Sequence, residues 1–234
     1  MRQIVFDVET TGIKFSEGHR IVEIGAVELV RGAVTGRTFH TYVNPERDMP
    51  EEAYQVHGIS ADFLKDKPRF ADAEVGAAFR VFADGDELIA HNGIAFDLPF
   101  LNAELTAAGL ETLENPVTDT LLLARRKFPG APAGLDALCM RFGIDTSERA
   151  RDGHGALLDS RLLAEVYIEL TGGAQAGLDF ADDAARSAAA RGPRKEARSR
   201  PAPLSSLITE EERAAHDAFV AELGPDCLWA KLRV

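Results

Sequence analysis

Residues 3 to 8 read Gln3-Ile4-Val5-Phe6-Asp7-Val8, a short apolar and β-branched run of the kind that fills a buried central strand. Two longer runs, Ile21 to Val30 and Val34 to Val43, are separated near Arg31-Gly32 and predict two further strands in an antiparallel meander. The period then changes. Val75, Phe79 and Phe82 fall at helical spacing, Glu87 to His91 is a short strand, and Leu98, Leu101 and Leu105 mark a helix ending near Gly109. Pro116 to Asp119 reads as a last strand. Leu121 to Lys127 is a helix stopped by Pro129, Leu135 to Phe142 one ended by Gly143, and Gly155 to Leu170 a final helix before Thr171-Gly172-Gly173. Strands in a run, then strands alternating with helices, predict an α/β fold with a mixed five-stranded sheet flanked by helices.

The pattern breaks after Gly173. Residues 181–203 are mostly Ala, Arg, Ser and Pro without apolar periodicity, which predicts a flexible linker carrying more basic than acidic residues. Beyond it Thr209 and Glu212 form a capping-box pattern, so a helix should run to about Leu223 and end at Gly224-Pro225. The 234 residues, 45% of them hydrophobic, suffice for a sizeable core. No apolar stretch is long enough to span a membrane and the N-terminus enters a strand directly, so a soluble, cytoplasmic protein is expected, with no membrane partner. Cys139 and Cys227 match no zinc spacing and are expected to be free buried thiols. The net charge of −12 predicts weak affinity for nucleic acid by the chain alone. An enzyme that grips only a strand end through bound metal needs few phosphate contacts, so the charge does not exclude one.

Three short motifs carry the chemistry. Asp7 and Glu9 stand two apart on the first strand, so both leave the same face and can meet one metal. A D-x-E pair also arises by chance in an acid-rich chain, but two acids at the end of an apolar central strand are costly unless something positive compensates them. Asp97, in Asn92-Gly93-Ile94-Ala95-Phe96-Asp97, begins a helix after a Gly-containing loop. Alone it would read as a helix cap, with His91 and Asn92 as turn residues; Asn92 could instead hold the loop that presents Asp97. His154 lies among glycines in Arg151-Asp152-Gly153-His154-Gly155, on an expected mobile loop, with Asp159 on the helix after it. A neutral histidine there can take a proton from water beside metal-held phosphate, although an ordinary exposed histidine would look the same.

In this order and at these spacings the motifs resemble those of the DEDDh 3′–5′ exonucleases, and residues 1 to about 172, including Val56-His57-Gly58-Ile59, share the resemblance. A histidine five residues before the last aspartate, rather than a tyrosine four before it, marks the DEDDh branch. Over its whole length the chain is similar to the members of that family that proofread for bacterial DNA polymerase III. The resemblance implies an RNase H-like fold and hydrolysis from the 3′ end of DNA with two divalent ions, Mg²⁺ or Mn²⁺. Asp7 would bridge both ions, Glu9 and Asp159 complete one, Asp97 support the second, and His154 deprotonate the attacking water. Thr10, Thr11 and Gly12 would meet the terminal nucleotide, with His57, Asn92 and Phe96 as weaker candidates.

The resemblance also divides the chain. Residues 1–173 would be the exonuclease domain. Residues 174–180 contain Gln175-Ala176-Gly177-Leu178-Asp179-Phe180, which resembles the hexapeptide that docks on the sliding clamp, the beta subunit; Gln175, Leu178 and Phe180 would make that contact. Linker 181–203 would lead to segment 204–234, whose Phe219, Leu223, Leu228 and Trp229 would dock on the DNA polymerase III alpha subunit. A small theta-like subunit on the exonuclease domain stays open. Two rival readings are an RNA-trimming DEDDh enzyme, which needs neither docking peptide nor tail, and a non-catalytic adaptor, which needs none of the five acid and base positions.

Overall fold

Strand β1 (Arg2–Thr10) is the centre of the fold in this computed structural model, which describes residues 1–172, 208–224 and 227–231. β1 pairs antiparallel with β2 (Ile21–Val30), and β2 with β3 (Ala33–Tyr42). On its other side β1 pairs parallel with β4 (Glu87–Ala90), and β4 with β5 (Val117–Asp119). The resulting order is β3-β2-β1-β4-β5, the mixed five-stranded sheet that the sequence predicts.

Period-two alternation along β1 sends Ile4, Phe6 and Val8 to one face and Val5, Asp7 and Glu9 to the other. The first face is closed by α3 (Gly76–Ala83) and α4 (Asp97–Ala107), whose Phe79, Phe100, Leu101 and Leu105 join one buried cluster with Ile4, Phe6 and Val8. The second is closed by α8 (Ala156–Thr171), where Leu163, Ala164 and Tyr167 pack on Val5, Val27, Leu29 and Ile89. A further layer, α5 (Thr120–Lys127) and α6 (Leu135–Phe142), covers the outer side of α8 through Ala124, Leu138 and Cys139 against Leu162, Val166 and Leu170. α8 is thus apolar on two sides, and truncating Leu163, which is 1% exposed, to Ala would cost about 2–5 kcal/mol. Cys139 is buried as expected, and burial pushes its thiol up to about 11; Cys227 is only half-buried.

Three short helices were not legible: α1 (Glu51–His57), α2 (Ala61–Leu64) and α7 (Ser147–Asp152). None is long enough for an apolar period to show. α7 corrects the expected loop around His154, because Arg151 and Asp152 belong to its last turn and only residues 153–155 link it to α8. Asp145 starts α7 by accepting from Ser147 N–H at 2.9 Å, and Gly153, at φ 84°, ends it by donating to the Arg149 carbonyl at 3.0 Å.

The C-terminal residues form a separate unit. Its helix Glu210–Glu222 has the predicted capping box: Thr209 Oγ accepts from Glu212 N–H at 3.2 Å and Thr209 N–H donates to Glu212 Oε2 at 2.9 Å. The Trp229 ring, on the short helix Leu228–Lys231, meets His216 edge-on at 6.0 Å. Phe219 and Trp229 remain 58% and 59% exposed. Gln175, Leu178 and Phe180, with the rest of the expected docking peptide and the linker, lie outside the described residues.

Candidate active site

β1 outruns its parallel neighbour. Pairing with β4 stops at Val5 opposite Ile89, so the β4-facing N–H of Val8 has no strand partner and donates instead to Asp97 Oδ1 at 3.2 Å. The connection that delivers Asp97 is shaped residue by residue. Asn92 adopts φ 63°, its carbonyl accepts from Ala95 and Phe96, and its N–H donates to Asp119 Oδ1 at 3.1 Å. Gly93 presses on Ala90, where a Cβ would come within 2.2 Å of the Ala90 Cβ. Asp97 is 3% exposed, and its carboxylate reaches across to β1 rather than only capping α4.

The other half of the site is built where α8 crosses β2. In register, Glu9 stands opposite Glu23 and Asp7 opposite Gly25, so all four positions face α8. Gly25 permits the crossing: a Cβ on it would lie 2.2 Å from the backbone of Ala156 and Leu157. Ser160 Oγ donates to the Gly25 carbonyl at 2.9 Å, and Glu23 accepts from Ala156 N–H at 3.0 Å while facing His40 Nε2 at 2.7 Å. Those contacts pin the first turn of α8 and place Asp159, 4% exposed, beside Glu9. His154 Nδ1 lies 3.3 Å from Asp159 Oδ2, and one ligand atom each from Glu9, His154 and Asp159 fall within 4.8 Å of one another. From α7, Arg149 Nε approaches Asp159 Oδ1 at 2.8 Å, Nη2 donates to Asp159 Oδ2 at 3.0 Å and to His154 Nδ1 at 2.7 Å, and Nη1 pairs with Asp136.

Five carboxyls, those of Asp7, Glu9, Glu23, Asp97 and Asp159, thus share one end of β1. Burial, then repulsion from Asp97, Glu9, Asp159 and Glu23, holds Asp7 well above the ordinary carboxylate range. Burial and the charges of Asp159, Glu23 and Asp97 push Glu9 up to about 8, with Arg149 opposing. Burial pushes Asp97 to about 7 against the Val8 N–H, and raises Asp159 despite Arg149 and His154. Such a group cannot hold its full negative charge unaided near neutrality. Carboxylate oxygens with one imidazole alongside are the donors a hard divalent cation takes, so the residues fit the metal the motifs imply.

Next to Glu9 opens a cavity of about 450 Å³ lined by Thr10, Thr11, Gly12, Ile13, His57 and Phe96 among others. Thr11 fixes its rim, with its N–H on the Arg20 carbonyl at 2.9 Å and its Oγ accepting from Arg20 N–H at 3.0 Å. His57 ends α1, 5% exposed; its Nδ1 accepts from Ile59 N–H at 3.0 Å and burial depresses its pKa. Phe96 serves both sides, since it packs on Phe100 at 5.1 Å in the core and walls the cavity. Asn92 is exposed beside the site, and its backbone holds the loop that presents Asp97. A second groove, of about 550 Å³, lies on the His154 side and includes Glu23, His40, Tyr42, Phe63 and Arg161.

Sequence reasoning missed Glu23, Gly25, His40, Arg149 and Asp119. The one available signal was Glu23, an acid inside the apolar run Ile21 to Val30 with no partner in view.

An exonuclease family profile, of the RNase T type, matches residues 4–167. The DNA polymerase III subunit epsilon of Rickettsia felis is 45% identical over 227 residues, spanning 95% of this chain and 97% of that protein. The same subunit of Escherichia coli K12 is 43% identical over 241 residues, with 97% of each chain covered. Among solved structures, exonuclease X bound to 5′-overhanging duplex DNA aligns with a TM-score of 0.57 at 23% identity, over 72% of this chain and 90% of that one. Exonuclease I aligns at 0.62 and 17% over 73% and 40%. Those two likenesses concern the fold alone. Profile and full-length identity together, with the five motif residues drawn around one end of β1, place the chain in the DEDDh exonuclease family as one of its DNA polymerase III epsilon subunits.

Proposed function

We propose that the chain is a 3′–5′ exonuclease that proofreads DNA synthesis, removing mismatched nucleotides from primer 3′ ends within a DNA polymerase III assembly. The observation that carries this is the convergence of Asp7, Glu9, Asp97, His154 and Asp159 on one end of β1 in a chain near-collinear with epsilon subunits.

Asp7, Glu9, Asp97 and Asp159 would hold two Mg²⁺ or Mn²⁺ ions, which when bound polarise the scissile phosphate and lower the pKa of water. The residues of the chain do the rest. His154, with its side chain 42% exposed, is open to solvent and accepts the proton of the attacking water. The apolar cavity behind Thr10, Thr11 and Gly12 takes the terminal nucleoside, with His57 and Phe96 as walls, and fixes the strand end relative to Glu9. A paired terminus must fray to enter such a pocket, and a mismatch lowers that cost, so preference for mismatches needs no reading of bases.

The decisive experiment is hydrolysis of 3′-mismatched and matched primer-templates with Mg²⁺, comparing wild type with Asp7→Ala. Cleavage from the 3′ end, faster on the mismatch and lost in the variant, is expected. Equal rates on the two ends would refute the fraying account, and degradation of RNA in place of DNA would favour the RNA-trimming reading.

In the same assembly the C-terminal part of the chain serves as a tether. Residues 174–180 dock on the sliding clamp and 204–234 on the alpha subunit; the exposed Phe219 and Trp229 suit the latter role. Leu178→Ala with Phe180→Ala should abolish clamp binding at unchanged nuclease activity. Deletion of 204–234 should cost polymerase association alone. A theta-like subunit is sought by titrating the exonuclease domain with that subunit.

A further inference from the structure

Arg149 has no part in the proposed hydrolysis, yet its guanidinium lies on the Asp159 and His154 side of the acid cluster. Its side chain is 10% exposed, and the guanidinium lies along the Asp159 carboxylate, with Nε 2.8 Å from Oδ1 and Nη2 3.0 Å from Oδ2. The same Nη2 donates to His154 Nδ1 at 2.7 Å. One cation therefore touches two of the three residues whose ligand atoms already cluster at metal-binding distances. A divalent ion on Asp159 and a guanidinium on the same two oxygens compete for the same lone pairs.

Two details make the arginine displaceable. Its Nε and Asp159 Oδ1, though close, are both buried and without an aligned hydrogen bond, so this half of the contact has charge attraction but poor geometry. On the far side Nη1 already pairs with Asp136, an exposed acid on α6, so the guanidinium keeps a partner when it leaves Asp159. α7 carries the side chain on a short polar helix linked to α8 through residues 153–155, and thus shares a connection with His154 itself.

We propose that Arg149 is an internal counter-ion of the metal site. It holds Asp159 and His154 in position before the divalent ion arrives, competes with that ion for the Asp159 carboxylate, and is drawn toward Asp136 as the ion binds. The inference rests on the metal-site reading above and adds to it that metal affinity is set by a residue that is not a ligand. A merely structural arginine would, on removal, loosen the site and weaken metal binding. A competing one would, on removal, strengthen it.

The test is Mn²⁺ binding, followed by the electron paramagnetic resonance signal of the free ion, for the full chain and its Arg149→Gln and Arg149→Lys variants. Loss of one charged contact to Asp159 should tighten Mn²⁺ binding about tenfold in Arg149→Gln. Arg149→Lys, which keeps the charge without the fork, should fall between it and wild type. In EDTA the Arg149→Gln variant should melt below wild type. Equal or weaker Mn²⁺ binding by a folded Arg149→Gln protein overturns the proposal. So does a crystal structure of the wild-type chain with Mn²⁺ bound that keeps the 2.8 Å contact, a result that needs no variant to fold. If wild type and variants alike bind no Mn²⁺, the metal-site reading fails and takes the inference with it; a tight wild type with an unchanged variant removes only the inference.

Discussion

Gly25 to Ala is the smallest change that should disable the enzyme without touching a motif residue. The added Cβ would sit 2.2 Å from the carbonyl carbon of Ala156 and 2.2 Å from Leu157 N, which are backbone atoms and cannot rotate away. Ordinary carbon contacts need about 3.5 Å, so α8 or β2 must move by about 1 Å. Either movement acts on chemistry. A shift of α8 displaces Asp159, and a shift of β2 displaces Glu23 and, through the Asp7–Gly25 register, Asp7. A misplacement of about 1 Å costs on the order of 100-fold in rate, and overpacking about 1–3 kcal/mol in stability. Steady-state hydrolysis of a 3′-mismatched primer should therefore show kcat down about 100-fold. KM should change little, because the nucleoside cavity lies on the β1–α1 side. Gly134→Ala is the control: nothing lies within 4 Å of its Cβ position, its φ is −66°, and its rate should match wild type. A Gly25→Ala enzyme with wild-type kcat and melting temperature would refute the close-packing argument.

Other consequences follow from the charges. Glu9 and Asp97, raised to about 8 and 7 from ordinary values of 4.5 and 3.8, keep protons in the folded chain that the unfolded chain has released. Metal-free protein should accordingly lose melting temperature as pH rises from about 4 to 8, and Mn²⁺ should restore more of it at pH 8 than at pH 6; a flat profile in EDTA would contradict this. Asp97→Asn removes a buried charge while its amide oxygen can still accept from Val8, so calorimetry in EDTA at pH 8 should find it more stable by about 1–3 kcal/mol, with activity lost. Glu23→Ala strips the Ala156 N–H and His40 of their partner; thermal melts should register a loss of about 1–3 kcal/mol, and kcat should fall with KM little changed.

Much of this was legible because local physics wrote it. The β1 alternation, the Arg31-Gly32 turn and the Gly109 and Gly143 helix stops are short-range effects of side-chain direction and backbone freedom, and the sheet and its main helices follow them. The local signal for the five motif residues was partial: two acids at the end of an apolar strand are costly unless a site needs them, whereas Asp97 alone reads as a helix cap and His154 as an exposed histidine, and it was the resemblance of the joint pattern to the DEDDh exonucleases that singled out all five. The boundaries of α1, α2 and α7 were not, since helices of four to seven residues take their stability from neighbours rather than from their own pattern. Glu23, Gly25 and Arg149 are further cases. Each matters only because α8 crosses β2 at a backbone contact and α7 folds over Asp159, and those approaches join positions more than a hundred residues apart in the chain or, for Arg149, across a turn that no period marks. The sequence by itself determined which groups are candidates for the chemistry, because residue types and their spacing are properties of the chain. Only the tertiary structure decided their spacing, their shared charge and the arginine that sits among them, because burial and mutual repulsion are properties of the assembled site and not of any stretch of chain.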